Sequence, residues 1–286
     1  MLSEIKFNDK EHSYTNKFGK KYTSVTTVIG FYKNKFDADF WTTYKAIQKA
    51  LGITQENKKQ MSALYTKNGG NWTTLPIEPL KKICALKNID INNLLEEKKS
   101  IAENWAQTSK ESCERGTRFH EKMEAEAYNN GTGTIKEETV ETIYEYNIDL
   151  SQLKDGYHAE VLLYNHEYEI AGIMDKLIIS TVIKDRYIKG DDWKTNKVIN
   201  TINPVGTKMK YPLHHLDDCN YIHYALQLNT YLWLLSQFGY IPQFPSQFTH
   251  VILDINEKEI GRKTFVLPNL QKDVKAMLVH FKNNKK

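Results

Sequence analysis

The chain contains little cysteine, little arginine and no long apolar run. Its three cysteines, at positions 84, 113 and 219, are too few and too widely spaced for a disulfide framework or a four-thiolate metal cluster. We therefore expect no disulfide-linked partner and treat the cysteines as buried small residues. No segment approaches membrane-spanning length, and the N-terminus lacks the charged-then-apolar layout of a signal peptide. These absences predict a cytoplasmic protein with no membrane partner.

Almost all of the positive charge is supplied by lysine, since arginine occurs only at positions 115, 118, 186 and 262. The net charge of +4 permits nucleic-acid binding without requiring it. With 286 residues, 40% of them hydrophobic, the chain can form one globular core with an appended subdomain. We expect residues 1–100 to form an N-terminal hairpin and a helical insertion, and residues 101–286 to form the main core.

The segment 172–194 contains the most informative pattern of the sequence. Two runs rich in β-branched residues flank a short break at residues 184–186, which predicts two antiparallel strands of a hairpin. Asp175 lies early in the first strand and Asp192 late in the second, so pairing brings both carboxylates to one end of the sheet. A divalent cation with oxygen ligands makes such a pair of like charges favourable. Lys194 projects from the same strand face as Asp192 and is aimed at whatever that cation holds.

Other polar residues occur in strands and helices around this hairpin. A helix is predicted across residues 92–129, and within it Gly116, His120 and Glu124 recur every four residues and share a face. Glycine in a helix interior indicates close approach by another segment, and His120 is a candidate metal ligand. A further strand contains Glu160, so the strands of Glu160, Asp175 and Asp192 form a three-stranded meander.

A second predicted helix, residues 219–238, places Gln227 and Tyr231 on one face of an otherwise apolar stripe. A buried amide requires a partner, which makes Gln227 a candidate site residue.

The N-terminal third offers candidate substrate contacts. Ser24 and Thr26 precede a helical region, where hydroxyl groups either cap the helix or bind a phosphate, and capping is the commoner use. Between residues 37 and 99 the pattern is helical and lysine-rich, with aromatic residues such as Trp41 and Tyr44. These aromatics would either stack on nucleobases or pack in an ordinary core, and periodicity alone favours the core.

In this order, the motifs resemble those of the PD-(D/E)xK nuclease superfamily, in its RecB-like branch. The resemblance rests on Gly116-x-x-x-His120, Glu160, Gly172-x-x-Asp175, Asp192-x-Lys194 and Gln227-x-x-x-Tyr231. The segment beginning at Ser24 is similar to phage exonucleases and the mitochondrial genome maintenance exonuclease of that branch. The implied fold is mixed α/β, with a restriction-endonuclease-like core, a mostly antiparallel or mixed central sheet flanked by helices, and a helical N-terminal insertion.

The resemblance also implies a role for each residue. Asp175, Asp192, the backbone carbonyl of Trp193 and a nitrogen of His120 would ligate Mg²⁺ or Mn²⁺. Lys194 would orient or deprotonate the attacking water, with a pKa lowered by desolvation and by the cation. Gln227 would position Lys194 or a phosphate oxygen. Glu160 would hold a metal-bound water or a second cation. Tyr231 would pack its helix against the sheet or contact the substrate.

The expected function is that of a metal-dependent DNA exonuclease acting on single-stranded or duplex ends, with replication or recombination proteins as partners. If the gene is of phage origin, the protein would act in the host cytoplasm. Two alternatives remain open: a structure-specific endonuclease on the same core, and a catalytically silent DNA-binding subunit. We favour the exonuclease because the helical N-terminal third would form an arch through which one strand passes.

Overall fold

The computed structural model describes residues 5–129, 136–140, 143–146 and 149–285. Seven helices are described, namely α1 (Val25–Phe31), α2 (Ala38–Ala50), α3 (Lys59–Lys67), α4 (Glu78–Leu86), α5 (Ile91–Asn129), α6 (Asn220–Ser236) and α7 (Gln271–Asn284). The described strands are β1 (Ile5–Asn8), β2 (Ser13–Asn16), β3 (Lys21–Ser24), β4 (Lys136–Val140), β5 (Ile143–Tyr146), β6 (Gly156–Asn165), β7 (Ile170–Val182), β8 (Asp185–Asp191), β9 (Trp193–Lys194), β10 (Ile241–Pro242), β11 (Ser246–Leu253) and β12 (Glu259–Leu267). None of these helices has the length and hydrophobicity that a membrane span requires.

The chain divides into two compact units. The larger contains residues 1–33, 115–203 and 208–286, and the smaller contains residues 34–114 and 204–207. This division differs from the one expected from the sequence, which grouped residues 1–100. The hairpin β1–β2 and strand β3 belong to the larger unit because β3 pairs in parallel with the start of β7.

The larger unit is built on a mixed, mostly antiparallel sheet flanked by helices, which confirms the predicted fold class at this level. Its strands pair in the order β10-β8-β7-β3-β2-β1-β5-β4, and β6 also pairs with β7. A separate three-stranded sheet has the order β12-β11-β9. The predicted meander is present, since β6 and β8 both pair antiparallel with β7.

The pairing of β7 leaves a gap at one of its edges. Strand β6 pairs with residues 170–179 of β7, so β3 and β8 must both lie along the opposite edge. There β3 pairs with residues 170 and 171, and β8 pairs with residues 176–182. Residues 172–175 therefore have no paired strand on that edge within the described chain. Asp175 lies at this fork in the sheet.

Helix α6 covers the sheet and forms the centre of the main core. Ten of its side chains are buried, among them Leu226, Leu232 and Leu235. Eight of them are apolar and pack with residues of β6, β7, α1 and α7 in one cluster. A helix that is apolar on nearly all sides is a buried helix, so the few polar side chains of α6 require partners inside the protein.

The smaller unit contains α2, α3, α4 and the first turns of α5. Its core is aromatic, with Phe40, Tyr44 and Tyr65 buried and the rings of Trp41 and Trp72 packed against them. None of the three cysteines, all of which lie in the described part of the chain, forms a disulfide. Cys219 is buried as expected, but Cys113 is exposed, because it lies on a solvent-facing side of α5. That expectation was wrong for Cys113.

Candidate metal centre

A cavity of about 410 Å³ in the larger unit brings most of the predicted site residues together. Its walls are supplied by the β1–β2 hairpin, the start of α1, and parts of α5, β6, β7, β9 and α6. Eight residues predicted from the sequence line it, namely Ser24, Thr26, His120, Glu160, Asp175, Lys194, Gln227 and Tyr231. These residues span more than 200 positions of the chain, so only the tertiary fold assembles them.

Three of these side chains could hold one cation. His120, Glu160 and Asp175 each offer a ligand atom, and these atoms lie within 4.8 Å of one another. The His120 Nδ1 atom is 3.4 Å from Asp175 Oδ2. Burial lowers the pKa of His120, and the neighbouring Lys194 lowers it further. The imidazole is therefore neutral near pH 7, which is the form that binds a metal.

Glu160 reaches this cluster through an unusual backbone conformation. The register of β6 and β7 places Glu160 opposite Asp175. Its φ of 51° lies in the left-handed region, which is rare for a residue with a side chain and uncommon inside a strand. Such strain costs about 1–3 kcal/mol and is concentrated at functional sites. The strained backbone thus distinguishes Glu160 from an ordinary strand residue.

Asp192 lies where β8 ends and β9 begins, at the fork in the sheet. Its carboxylate forms an ion pair with Lys194 through Oδ2, and Asp192 is only 3% exposed. The second oxygen, Oδ1, is buried and has no hydrogen-bond partner among the described residues. Burial, reinforced by the charge of Asp175, raises the pKa of Asp192 to about 7. Burial also raises the pKa of Asp175, and Lys194 partly offsets this effect.

The ammonium group of Lys194 is held in a chain of contacts that starts on α6. Its Nζ atom donates a hydrogen bond to Gln227 Oε1 at 3.3 Å, and Gln227 Nε2 donates to the Tyr231 hydroxyl at 3.2 Å. Nζ also lies 4.7 Å from the ring centroid of Tyr224. The structure thus contains a contact between Gln227 and Lys194, and the positioning role of Gln227 stays a prediction.

In the protein alone the pKa of Lys194 is raised, whereas the lowered pKa was predicted beside a bound cation. Burial lowers it, but the charges of Asp192 and Asp175 together outweigh burial and leave the pKa above its ordinary value. The expected lowering assumed a cation beside the amine. In the protein alone the carboxylates dominate, so Lys194 is a cation at neutral pH.

The main chain of Trp193, in β9, forms hydrogen bonds with Asp175 and His120. Its N–H donates to Asp175 Oδ2 at 2.9 Å, and its main chain also forms a hydrogen bond with the ring of His120. These contacts hold Asp175 and His120 in place. The predicted ligation of a cation by the Trp193 carbonyl stays a prediction, although its main chain is beside two of the candidate ligands.

Ser24 and Thr26 lie at the cavity wall, where Ser24 caps helix α1. The Ser24 Oγ atom accepts a hydrogen bond from the N–H of Thr27 at 3.0 Å and lies 3.1 Å from the Thr26 hydroxyl. The commoner of the two predicted uses, capping, is confirmed for Ser24. Substrate contact by these hydroxyl groups stays a prediction.

The structure places Trp41 and Tyr44 in the aromatic core of the smaller unit. Tyr44 is buried, and the Trp41 ring lies 5.6 Å from it. Neither residue is among those that line the cavity. Their observed role is packing, in agreement with the interpretation that helical periodicity favoured, and base stacking by them stays a prediction.

Several cavity residues were missing from the sequence-based set, among them Asp9, His12, Thr117 and Glu121. Thr117 and Glu121 lie within one turn of His120 on α5, so helical periodicity could have identified them. Asp9 and His12 occupy the turn of the β1–β2 hairpin, and no local pattern places that turn beside Asp175. Glu124, which the spacing along α5 had placed on the face of His120, does line the cavity.

The donor set fits a divalent cation. Two carboxylates, of Glu160 and Asp175, converge with one neutral imidazole. The predicted ligand Asp192 is not in this group and does not line the cavity, although its buried Oδ1 lacks a hydrogen-bond partner among the described residues. Hard divalent cations accept such oxygen ligands, and Mn²⁺ also accepts imidazole.

Comparisons with known proteins add no identification, since no protein-family model matches the chain and no curated protein matches it in sequence.

Proposed function

We propose that this protein is a deoxyribonuclease that hydrolyses phosphodiester bonds with Mg²⁺ or Mn²⁺ as cofactor. The observation that carries the proposal is the convergence of His120, Glu160 and Asp175 in one cavity that also exposes the amine of Lys194. A divalent cation bound by these three side chains would lower the pKa of a coordinated water molecule and withdraw charge from the phosphoryl oxygens. An acidic ligand set with a lysine beside it can support this reaction.

We further propose that the larger unit has a restriction-endonuclease-like core and that the chain belongs to the RecB-like branch of the PD-(D/E)xK superfamily. The support is the order of elements around the cavity. His120 lies on the helix that precedes the meander, the three acids lie on or beside its strands, and Gln227 lies on the helix that follows. This order agrees with the motif order of the sequence.

In this proposal each residue has a distinct task. His120, Glu160 and Asp175 would hold the cation, and Asp192, whose buried Oδ1 has no hydrogen-bond partner among the described residues, is a further candidate ligand from the sequence. The Trp193 N–H keeps the Asp175 carboxylate in position. That hydrogen bond favours the charged form of the carboxylate, which is the form that would bind a cation.

Lys194 acts as a fixed positive charge. Asp192 and Asp175 raise its pKa in the protein alone, and in its charged form it stabilises charge on the phosphate. Gln227 and Tyr231 hold the amine in place, since removing them would let the flexible lysine chain rotate away. Preorganised charge of this kind is a large contribution to catalysis.

The direct test is cleavage of end-labelled DNA with Mg²⁺ or Mn²⁺ and an EDTA control. We expect Asp175→Asn and Lys194→Ala to lower the rate at least about a hundredfold while the melting curve remains cooperative. Matched controls are Asp185→Asn and Lys197→Ala, which change exposed residues outside the cavity. Binding without metal-dependent cleavage would reject the enzyme in favour of a silent DNA-binding subunit, and cleavage by both active-site variants at the wild-type rate would reject the site.

We propose that cleavage starts from DNA ends, in recombination, replication or genome processing. The support is the resemblance to a branch that includes end-dependent enzymes. Covalently closed single-stranded circles and linear strands of the same sequence should be compared. Digestion of the linear strand alone is expected, whereas digestion of both would indicate the endonuclease alternative. Binding should weaken steeply with salt, because phosphate contacts release counterions.

A further inference from the structure

A second cavity, of about 380 Å³, lies in the same unit beside the candidate metal centre. It is lined by Met123, Glu126, Ala127, Tyr157, Lys176, Trp193 and Arg262. Nothing in the proposed chemistry uses these side chains. Two of them are nevertheless direct neighbours of site residues in the chain, since Lys176 follows Asp175 and Trp193 lies between Asp192 and Lys194.

The two cavities follow one another along α5. Residues 117–124 of this helix line the first cavity and residues 123–127 line the second. At a rise of 1.5 Å per residue the midpoints of these segments are about 7 Å apart, which is about two base steps of a stacked strand. A polynucleotide held at the metal centre can therefore reach the second cavity.

The second cavity is built around two aromatic rings that share one ammonium group. Lys176 Nζ lies 5.3 Å from the ring centroid of Trp193 and 5.5 Å from that of Tyr157. The guanidinium of Arg262 also lies over Trp193, at 5.2 Å. A lysine side chain is long and flexible, so the space that its ammonium occupies beside both rings can be vacated.

The charges of this cavity are already compensated. Arg262 forms two hydrogen bonds with the carboxylate of Glu259, and Lys176 Nζ lies 3.6 Å from the buried carboxylate of Asp191. Glu126 adds a negative charge to the lining. An anionic phosphate would therefore gain little electrostatic binding free energy in this cavity. A planar, uncharged ring with polar edges fits better, since it can stack on the aromatic faces while Lys176 and Arg262 donate to its edge acceptors.

We propose that this cavity binds a nucleobase of the substrate strand, stacked on Trp193 and Tyr157, at a position adjacent to the cleaved bond. The proposal rests on the proposed function, because it assigns the base-binding subsite of that polynucleotide. The hydrogen bond from the Trp193 N–H to Asp175 fixes the backbone of the stacking residue relative to the metal centre. The distance between the bound base and the cleaved bond is thereby set.

The test uses the full-length protein in EDTA at low ionic strength, with single-stranded oligodeoxynucleotides that each contain one 2-aminopurine at a different position. Stacking should quench the emission of 2-aminopurine at one position of the bound strand. Tyr157→Leu should remove this quenching and weaken binding about tenfold, as expected for one lost base stack. Trp193→Leu should do the same, and Phe18→Leu, which changes an exposed aromatic residue outside both cavities, should leave binding unchanged.

An abasic strand provides the second control. With the base removed at the quenched position, wild-type protein and Tyr157→Leu should bind with equal affinity. Equal affinity of the two proteins for the intact strand, or no quenching at any position, would overturn the proposal. Because binding is measured without metal, this result is independent of cleavage. A protein that binds the base but does not cut DNA would refute only the proposed function.

Discussion

The substitution Gly172→Ala tests how tightly the site is built. A Cβ atom at position 172 would lie 2.8 Å from Tyr231 Cε1 and 3.0 Å from its hydroxyl oxygen. The first distance is about 0.6 Å shorter than ordinary van der Waals contact. Since Tyr231 is 3% exposed and surrounded by core residues, its ring can move only by displacing its neighbours.

The hydrogen bonds of Tyr231 explain why Gly172→Ala should lower both the stability and the catalytic rate. Gln227 Nε2 lies 3.2 Å from the Tyr231 hydroxyl and Lys194 Nζ lies 3.3 Å from Gln227 Oε1, so a shift of half an ångström would break one of them. Overpacking of a core costs about 1–3 kcal/mol of stability. Misplacement of a catalytic group by about 1 Å can cost a hundredfold in rate. We therefore expect kcat on DNA to fall about tenfold to a hundredfold, with a smaller change in KM.

The assay combines steady-state cleavage with thermal unfolding. Gly261→Ala is the matched control, because a Cβ atom there would meet nothing closer than 3.9 Å. The double variant Gly172→Ala with Tyr231→Phe removes the hydroxyl that the new methyl group meets, and it should recover part of the lost stability. If Gly172→Ala retains the wild-type kcat and melting temperature, the contact between β7 and α6 does not position Lys194 as we argue.

Two further predictions concern stability and pH. Asn229 is fully buried and accepts a hydrogen bond from the Leu270 N–H while it donates to the carbonyl groups of Ala225 and Pro268. Asn229→Leu leaves these groups unpaired and should lower the free energy of unfolding by about 2–5 kcal/mol in urea titrations, with an unchanged m-value; a loss below about 0.5 kcal/mol would contradict this. The second prediction concerns Asp192, whose folded-state pKa of about 7 lies above the ordinary value of 3.8 because of burial. Protons therefore compete with a divalent cation below about pH 7, and the rise in melting temperature caused by Mn²⁺ should shrink from pH 8 to pH 6. In Asp192→Asn that rise should be smaller and should depend less on pH, with Asp175 as the remaining carboxylate of raised pKa, and an equally steep dependence in the variant would refute the assignment.

Much of the site could be predicted from local patterns. The strand pair that contains Asp175 and Asp192 follows from two β-branched runs around a turn, and the face of α5 that contains His120 and Glu124 follows from spacing by four residues. Glycine inside α5 predicted close approach by another segment, but a Cβ atom at position 116 would meet only Thr195 Oγ1 at 3.6 Å, an ordinary contact, so the structure does not require glycine there. For the strand pair and the face of α5, neighbours along the chain determine the structure.

Strand β12 was not predicted, because its residues are mostly polar and exposed and lack an apolar alternation. The place of the N-terminal hairpin was also not evident from the sequence. It depends on the pairing of β3 with the free edge of β7, where β8 has ended, and such long-range pairing leaves no local periodicity.

The amino-acid sequence by itself determined which side chains could serve a metal-dependent reaction and which helix or strand contains each, since those depend on residue type and periodicity. The tertiary structure was needed to show that His120, Glu160 and Asp175 meet, that Glu160 has a left-handed backbone, and that Asp192 and Asp175 raise the pKa of Lys194 in the protein alone. The physical reason is that distances between distant segments, burial and the fields of neighbouring charges arise from packing. Packing also places Tyr157 and Trp193 around one ammonium group, although 36 positions separate them in the chain.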